Sequence, residues 1–299
     1  MTRSPPEAAP MVDPPDFGIG NAAAAVPDVQ GLRKLAAGHK YAHGHALILA
    51  GPSGHGGAAR LAARGALWIG AGLVTVACPE SAVPENAARL DAVMLQAVDT
   101  AKQLSAVLAD QRINAIGIGP GLGIKRAQML VQAVLDALRP TVLDADALTV
   151  LSQDPALIGK LHQTCVLTPH GGEFARLFPD IAASLRGGLS KADATRAAAA
   201  RAGCTVLFKG ADTVIANAAG ECSVLSARGD RAAPWLATAG SGDVLTGFIA
   251  GLLARGFAPM QAAETAACLH VDCARGFGPG LIAEDLPEAL PAVFRAWSV

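Results

Sequence analysis

Aromatic and charged side chains are both scarce in this sequence. Only 4% of its 299 residues are aromatic, with a single tyrosine, and only 16% are charged. Proteins that bind nucleic acids usually carry clustered lysine and arginine together with aromatic rings on which bases stack. Here the formal net charge is −1 and no basic run occurs. We therefore expect no nucleic-acid partner.

Long apolar runs and disulfide patterns are also missing. The most apolar window, residues 244–254, is shorter than the roughly 20 residues that span a bilayer, and no apolar stretch follows Arg3 as it would in a secretory signal. None of the cysteines forms a C-x-x-C pair, and most lie within apolar runs. They are typical of small buried side chains in a reducing compartment. We expect a cytoplasmic protein with no membrane partner.

Hydrophobic residues, by contrast, make up 52% of the chain, which is enough to bury a large core. Six prolines punctuate the first 30 residues, where no periodic pattern is visible. We predict a flexible proline-rich arm over residues 1–30 and one folded domain over residues 31–299, because no linker interrupts the later sequence.

Within that domain, short apolar runs without polar alternation are interleaved with helical stretches such as 124–138 and 190–202. This arrangement is typical of a parallel sheet that helices cover on both faces, so we predict an α/β/α domain. Two apolar runs that flank "NAAGE" predict a hairpin at one side of the sheet. Two helices, at about 243–255 and 259–277, are expected to close the chain.

The apolar runs end in glycine-rich or polar segments, namely "GPSGHGG", "GPGLG", "DADAL", "TPHGGE" and "KGADT", and "GSGD" precedes the first closing helix. Ligands of parallel sheets bind at the carboxyl ends of the strands, where these segments would meet. Their convergence predicts an active site.

The segment "GSGD" has two interpretations. Gly240 and Gly242 allow the backbone to approach a ligand, and the helix that follows offers free N–H groups to a phosphate. Asp243 could then accept a proton from an attacking hydroxyl. It could equally cap the helix, as aspartate often does.

The longer segment "LATAGSGDVLTGFIAGLLARG" resembles the signature of the ribokinase-like superfamily. Together with "IGIGPGLG", "VLDADAL", "VLTPHGGEFARLF" and "LFKGADTVIA", in the same order, it is most similar to the ADP- or ATP-dependent NAD(P)H-hydrate dehydratases. The resemblance covers residues 44–290. It implies a three-layer ribokinase-like fold with a mostly parallel central sheet. It also implies repair of hydrated NADH or NADPH by phosphorylation of the ring hydroxyl and loss of phosphate.

The resemblance also implies roles for individual residues. Asp243 would be the base, and the amides of Gly240, Ser241 and Gly242 would hold the transferred phosphoryl group. Substrate would be bound by Asp243 together with Ala58, Gly121 and His170. ADP, the implied phosphoryl donor (or ATP), would be bound by a loop that consists of Lys209, Gly210, Ala211, Asp212 and Thr213. Glu173 would hold Mg²⁺, and the chain would form a homo-tetramer.

Several alternatives remain open in the sequence. Glu173 could serve only as a helix-start carboxylate, and Asp144 and Asp146 favour helix capping slightly over support of metal or substrate. A kinase of a small alcohol or vitamin precursor would use the same "GSGD" element, and a non-catalytic nucleotide-binding module would bind without turnover. Many relatives carry an epimerase domain at the amino end, and we expect none here.

Overall fold

The computed structural model describes residues 18–34 and 38–299, which contain one ten-stranded sheet. Its strands are β1 (Ala23–Ala24), β2 (His45–Leu49), β3 (Leu73–Cys78), β4 (Met94–Ala97), β5 (Ala115–Ile118), β6 (Thr141–Leu143), β7 (Cys165–Leu167), β8 (Thr205–Phe208), β9 (Asp212–Ala216) and β10 (Cys222–Ser226). Their order across the sheet is β1-β10-β9-β8-β7-β6-β5-β2-β3-β4.

The same residues form helices on both sides of the sheet. These are α1 (Val29–Leu32), α2 (Gly57–Trp68), α3 (Val83–Ala87), α4 (Ala101–Leu108), α5 (Ile124–Asp136), α6 (Ala145–Gln153), α7 (Pro155–Ile158), α8 (Gly171–Leu177), α9 (Pro179–Arg186), α10 (Lys191–Ala202), α11 (Ser241–Ala254), α12 (Pro259–Phe277) and α13 (Asp285–Ala296).

The strands from β2 to β8 pair in parallel, whereas β9 is antiparallel to both β8 and β10. The predicted parallel sheet and the hairpin around "NAAGE" are therefore confirmed, and the three-layer α/β/α class holds. Because β2, β5, β6, β7 and β8 point the same way, the segments that follow them all leave the sheet at one edge.

Two hydrophobic cores lie on opposite faces of this sheet. In β2, Ala46 and Ile48 face the core built with α2, α11, α12 and α13, and Leu47 and Leu49 face the core built with α4, α5, α6, α8, α9 and α10. Successive strand residues point to opposite faces, so a strand that is covered on both sides reads as one unbroken apolar run. This is why the strands lack polar alternation.

Helix α11 is the most enclosed element of the first core, since every residue from Val244 to Ala254 is buried. The backbones of α11 and α2 are nearly in contact. A Cβ on Gly247 would come within 2.1 Å of the Ala62 carbonyl oxygen. A Cβ on Gly251 would likewise come within 2.7 Å of the Ala66 carbonyl oxygen. The apolar run after "GSGD" is therefore a central helix whose position is fixed by close packing.

The closing helices differ from the prediction in number, because α13 follows the two expected ones. Pro287 and Pro291 lie within it, and a proline normally marks a helix end because it removes a backbone donor. Leu286, Leu290 and Val293 are nevertheless buried against the first core, and this packing sustains the helix.

Residues 1–17 of the predicted arm lie outside the described residues. Its later part is bound to the domain: Ala23 and Ala24 pair in parallel with β10, and the Asp28 amide donates to Thr265 Oγ1. Contacts with the domain therefore extend to residues before 31. Across the described ranges, no helix combines the length and the apolar character that a membrane span requires.

The close contact of α11 with α2 generates a stability prediction. Gly247→Ala places a methyl group against the Ala62 backbone, so we expect the free energy of unfolding in urea to fall by about 1–3 kcal/mol. Gly276→Ala is the matched control, because Gly276 is an exposed glycine of α12 with open space around its Cα. That control should be neutral or slightly stabilising. Equal unfolding free energies for the two variants would contradict the tight packing.

Candidate active site

The loops after β2, β5 and β6 meet backbone to backbone at the carboxyl edge of the sheet. A Cβ on Gly51 would come within 2.0 Å of the Gly121 carbonyl oxygen, and one on Gly119 within 1.7 Å of the Asp144 carbonyl oxygen. Gly119 and Gly121 also have positive φ angles of 127° and 60°, which side chains with a Cβ rarely adopt. Glycine is thus required where these loops touch.

Ala58 and Gly121, two of the residues predicted to bind substrate, lie close together in the structure. A Cβ on Gly121 would lie 3.0 Å from the Ala58 Cβ and 2.9 Å from the His55 carbonyl oxygen. Ala58 belongs to the first turn of α2, and Gly121 lies in the turn before α5. Asp146 holds this turn, since its Oδ2 accepts a hydrogen bond of 2.8 Å from the Gly123 amide.

Asp243 lies in the first turn of α11 but does not cap it. The N-cap is Gly240, with a φ of 89°, and no side chain closes this end of the helix. A Cβ on Gly240 would lie 2.6 Å from Leu61 Cδ1 and 4.0 Å from Asp243 Oδ2. Gly240 thus lies between Leu61 of α2 and the Asp243 carboxylate. In the first turn of α11, the Ser241 amide donates to the Thr238 carbonyl oxygen at 3.4 Å, and the amides of Gly242 and Asp243 have no partner within the helix.

The environment of Asp243 favours its neutral form. Burial raises the pKa of Asp243 to about 6, with a further increase from the negative charge of Asp144 and an opposing effect from Lys209. Within the described ranges, no protein donor forms a hydrogen bond to this carboxylate. A carboxyl group with such a pKa can accept a proton near neutral pH and release it again, as a general base must.

Asp144 connects three parts of the site. Its side chain is buried, Oδ1 lies 2.8 Å from Lys209 Nζ, and Oδ2 accepts a 2.8 Å hydrogen bond from Thr246 Oγ1. Oδ1 also accepts from the Ala145 amide at the start of α6, so the capping interpretation of Asp144 is confirmed. The same carboxylate therefore caps one helix and ties it to α11 and to the end of β8.

The segment after β8 forms one wall of a cavity of about 730 Å³. Of the five residues predicted to bind nucleotide, Lys209, Gly210, Ala211 and Thr213 line it, and Ser241 and Gly242 of α11 line the facing side. Lys209 Nζ reaches toward α11, since it would lie 3.7 Å from a Cβ on Gly242. The cavity thus joins the predicted nucleotide loop to the amino end of the central helix.

Asp212 is the exception among the five. Its carboxylate is 6% exposed and pairs with Arg228 Nε at 2.6 Å, while Arg228 itself lines the cavity. Asp212 starts β9, where alternate side chains leave on opposite faces, so it contributes through Arg228. The buried Lys191 supports the same segment, because its Nζ donates to the carbonyls of Lys209 and Asp212.

His170 and Glu173 form a capping box at the start of α8. The Gly172 amide donates to His170 Nδ1 at 3.0 Å, and the His170 amide donates to Glu173 Oε2 at 2.8 Å. The side chain of His170 is 57% exposed and that of Glu173 is 7% exposed. Glu173 Oε2 also lies 3.9 Å from Lys209 Nζ. The capping box thus adds a carboxylate to the site and leaves an imidazole facing solvent.

The donor set limits how a metal could bind. No three carboxylate, imidazole or thiol groups come together as a metal cage in the described ranges. Glu173 Oε1 has the His170 ring at 3.5 Å as its neighbour. Magnesium typically takes only one or two carboxylates and completes its shell with phosphates and water. These residues therefore fit a magnesium ion that arrives with a nucleotide.

Sequence reasoning missed two residues that build the site. His270 of α12 is buried, which lowers its pKa to about 4, and its Nε2 lies 2.9 Å from the Ser241 carbonyl oxygen. The neutral ring therefore donates to this carbonyl through Nε2. Thr246 is the other residue, and it holds Asp144. Each is a lone polar residue within an apolar helical run, which was the available signal.

The raised pKa of Asp243 predicts a pH-dependent stability difference. The native state holds a proton at Asp243 more tightly than the unfolded chain does, so ionisation costs stability as pH rises from about 4 to about 6. Asp243→Asn removes this cost and should be more stable than wild type at pH 8, by about 1–2 kcal/mol after allowance for solvent. The difference should shrink at pH 4 in urea unfolding. A difference that is the same at both pH values would contradict the raised pKa.

Comparison with known proteins agrees with this arrangement. The sequence profile of the NAD(P)H-hydrate dehydratase family matches residues 46–288. The bifunctional NAD(P)H-hydrate repair enzyme Nnr of a Synechocystis strain is 37% identical over 273 residues, which are 87% of this chain and 50% of that protein. The chain thus spans about half the length of the curated relatives it matches.

Solved structures agree at the level of fold. The ADP/ATP-dependent NAD(P)H-hydrate dehydratase of Bacillus subtilis, co-crystallised with ATP and Mg²⁺, is 29% identical with a TM-score of 0.73 and covers 93% of this chain and 99% of its own. A ribokinase-like superfamily protein of Enterococcus faecalis is 25% identical with a TM-score of 0.75, over 90% and 94% of the two chains. The fold is therefore ribokinase-like, and the chain belongs to the NAD(P)H-hydrate dehydratase family.

Proposed function

We propose that this chain is an ADP-dependent (S)-NAD(P)H-hydrate dehydratase that repairs hydrated NADH and NADPH. The observation that carries the proposal is the position of Asp243. Its carboxyl group, with a pKa raised to about 6, lies at the amino end of α11 beside α2, and the adjacent Gly242 lines the nucleotide-sized cavity. A base in this position can serve an alcohol on one side and a nucleotide on the other.

The reaction has two steps. In the first, the ring hydroxyl oxygen of the hydrated nicotinamide attacks the β-phosphorus of ADP, Asp243 accepts the hydroxyl proton, and the bond to the leaving AMP breaks. In the second, the carbon–oxygen bond to the new phosphate breaks while the neighbouring ring carbon gives up a proton to the departing phosphate. This restores the double bond and releases phosphate. Phosphate leaves far more readily than hydroxide, so ADP supplies the driving force.

The nucleotide would occupy the cavity between the segment after β8 and the start of α11. Lys209 would contact its phosphates, and the backbone of Gly210, Ala211 and Thr213 would line it, with Asp212 acting through Arg228. The first-turn amides of α11 point at the place where the phosphoryl group would pass. Such fixed donors stabilise the charge that develops on the phosphoryl oxygens.

Gly240, Ser241 and Gly242 hold these amides in place. Gly240 provides the left-handed turn, Ser241 Oγ donates to the Leu236 carbonyl at 2.8 Å, and His270 donates to the Ser241 carbonyl. The donors are thus positioned before any ligand binds, and they need no reorganisation during the reaction.

The hydrated nicotinamide would bind on the other side of Asp243. Ala58 and Gly121 touch there and would contact the substrate through small surfaces and backbone groups. His170 presents an exposed imidazole at the start of α8, with Nδ1 occupied by the Gly172 amide. Its Nε2, which lies 3.5 Å from Glu173 Oε1, would therefore carry the proton, and a rotation of the exposed ring would let it donate to an oxygen of the substrate.

Glu173 would hold Mg²⁺ through Oε1, with water and nucleotide phosphates as the remaining ligands. When bound, the ion would neutralise negative charge on the phosphates.

We further propose a cytoplasmic location and a homo-oligomer, with the tetramer implied by resemblance. The cysteines support the location, since all six are free thiols and five of them are buried. Such thiols need a reducing compartment or burial to stay reduced. The proposal needs neither a nucleic acid nor a membrane as partner.

Recovery of dihydronicotinamide absorbance from hydrated NADH tests the function. With ADP and Mg²⁺, the wild type should restore this absorbance and release AMP and phosphate in equal amounts. Running ATP in parallel identifies the preferred donor. Accumulation of a stable phosphorylated product, or nucleotide binding without turnover, would contradict the dehydratase activity.

Asp243→Asn tests the base within that assay. Asparagine keeps the shape but takes up no proton, so kcat should fall by at least about 100-fold, the usual contribution of general base catalysis. The dissociation constant for ADP, measured by calorimetry, should stay within about threefold. Asp91→Asn changes an exposed aspartate between α3 and β4 and should leave both values unchanged. Wild-type turnover in the Asp243 variant would refute the assigned role.

Glu173→Gln tests the metal proposal. Glutamine can still accept the hydrogen bond from the His170 amide, but it has lost the charge that would hold Mg²⁺. The Mg²⁺ concentration for half-maximal activity should rise several-fold, while kcat at saturating Mg²⁺ should recover most of the wild-type value. An unchanged Mg²⁺ dependence would remove Glu173 from the metal site.

A further inference from the structure

Lys209 is the cation that acts on Asp243, yet it is bound to a different carboxylate. Its Nζ lies 2.8 Å from Asp144 Oδ1 and 3.9 Å from Glu173 Oε2. The same ammonium would lie 3.7 Å from a Cβ on Gly242, the residue next to Asp243. Asp243 itself forms no ion pair within the described ranges. Lys209 therefore lies near Asp243 but is bound by Asp144.

Asp144 is held rigidly enough to compete for this lysine. It is 2% exposed, and its two oxygens accept hydrogen bonds from the Ala145 amide at 2.9 Å, from Thr246 Oγ1 at 2.8 Å and from Lys209 Nζ at 2.8 Å. Thr246 lies three residues after Asp243 on α11, so the two side chains share one face of that helix. A carboxylate with fixed donors loses little conformational entropy when it binds the ammonium.

We propose that Asp144 is a positioning residue that keeps the Lys209 ammonium away from the Asp243 carboxylate. Asp243 then stays basic enough to take a proton, while the Lys209 side chain stays at the edge of the nucleotide cavity. This inference rests on the proposed function insofar as it assigns Asp243 as the base.

Burial and the charge of Asp144 raise the pKa of Asp243, as the inference requires, and Lys209 is the group that opposes them. A direct ion pair with Lys209 would stabilise the ionised carboxylate and lower its affinity for protons. Asp144 prevents this pairing and adds a repulsive negative charge of its own. Of the other titratable groups near the site, Glu173 lies on the far side of Lys209, and burial keeps His270 neutral.

Asp144→Asn therefore has a definite expected effect. Removing the charge releases Lys209 toward Asp243 and removes the repulsion, and both changes favour the ionised base. The midpoint of the acid limb of the kcat–pH profile should move down by about one pH unit or more. Carbon-13 NMR of aspartate-labelled protein, with Asp243→Asn used to assign the signal, should show the same shift in Asp243 titration without substrate.

A second substitution separates this effect from a loss of structure. Lys209→Met in the Asp144→Asn background removes the released cation, so the titration midpoint of Asp243 should move back up. If Asp144→Asn does not fold, Lys209→Met alone carries the test, because it should raise the midpoint above that of wild type. Asp144→Glu, which keeps the charge, should restore most of the wild-type profile.

Asp91→Asn is the matched control. It makes the same aspartate-to-asparagine change at an exposed position between α3 and β4, so the titration midpoint of Asp243 should stay within about 0.3 pH units of wild type. A folded Asp144→Asn protein in which Asp243 titrates as in wild type would overturn the inference, as would a double variant whose midpoint does not return.

The experiments distinguish a failure of the proposed function from a failure of the role assigned to Asp144. If the wild type does not turn over hydrated NADH but the NMR midpoint of Asp243 moves as expected, the proposed function is wrong and the role of Asp144 stands. If turnover occurs but the midpoint does not move, the function stands and the role of Asp144 is wrong.

Discussion

The contact of α11 with α2 is the constraint on which the rest of the site depends. Gly247 and Gly251 let the two helix backbones approach so closely that neither position has room for a side chain. Because α11 is enclosed along its whole length, its amino end has one possible place at the edge of the sheet. The positions of the first-turn amides and of Asp243 are therefore fixed as well. A buried helix thus holds the groups at its amino end more precisely than flexible loops could.

Electrostatic roles in the site are divided among carboxylates that look alike in the sequence. Asp144, Glu173 and Asp212 are each buried and each bound to a cation or a backbone donor. Among the residues that the structure describes, Asp243 has no such partner, and burial raises its pKa. The first three side chains are thus tied into the structure by their partners, whereas Asp243 is the carboxylate that the proposed function uses as the proton acceptor. Lys209 interacts with carboxylates of both kinds, because it pairs with Asp144 and also acts on Asp243.

Much of this arrangement could be predicted from local patterns. Unbroken apolar runs indicated a covered parallel sheet, "NAAGE" indicated the hairpin, and the glycines of "GSGD" indicated a backbone close to a ligand. What could not be predicted depends on partners distant in sequence. Asp144 was identified as a helix cap, but its bond to Thr246 crosses 102 residues. His270 was missed because its partner, the Ser241 carbonyl, lies 29 residues away, and the helix α13 was missed because tertiary packing sustains it despite its prolines.

The same long-range contacts have a consequence for folding. Asp144 meets partners 65 and 102 residues away, and the β8 segment and α11 come together only across the finished sheet. The residues that line the cavity lie between Lys209 and Val271, but Asp144, which ties Lys209 to α11, comes from a distant part of the chain. The complete arrangement therefore arises with the global fold. A bound nucleotide therefore raises the free energy of unfolding of the whole domain by mass action. In a cell, the abundance of this protein would be coupled to the supply of its own nucleotide.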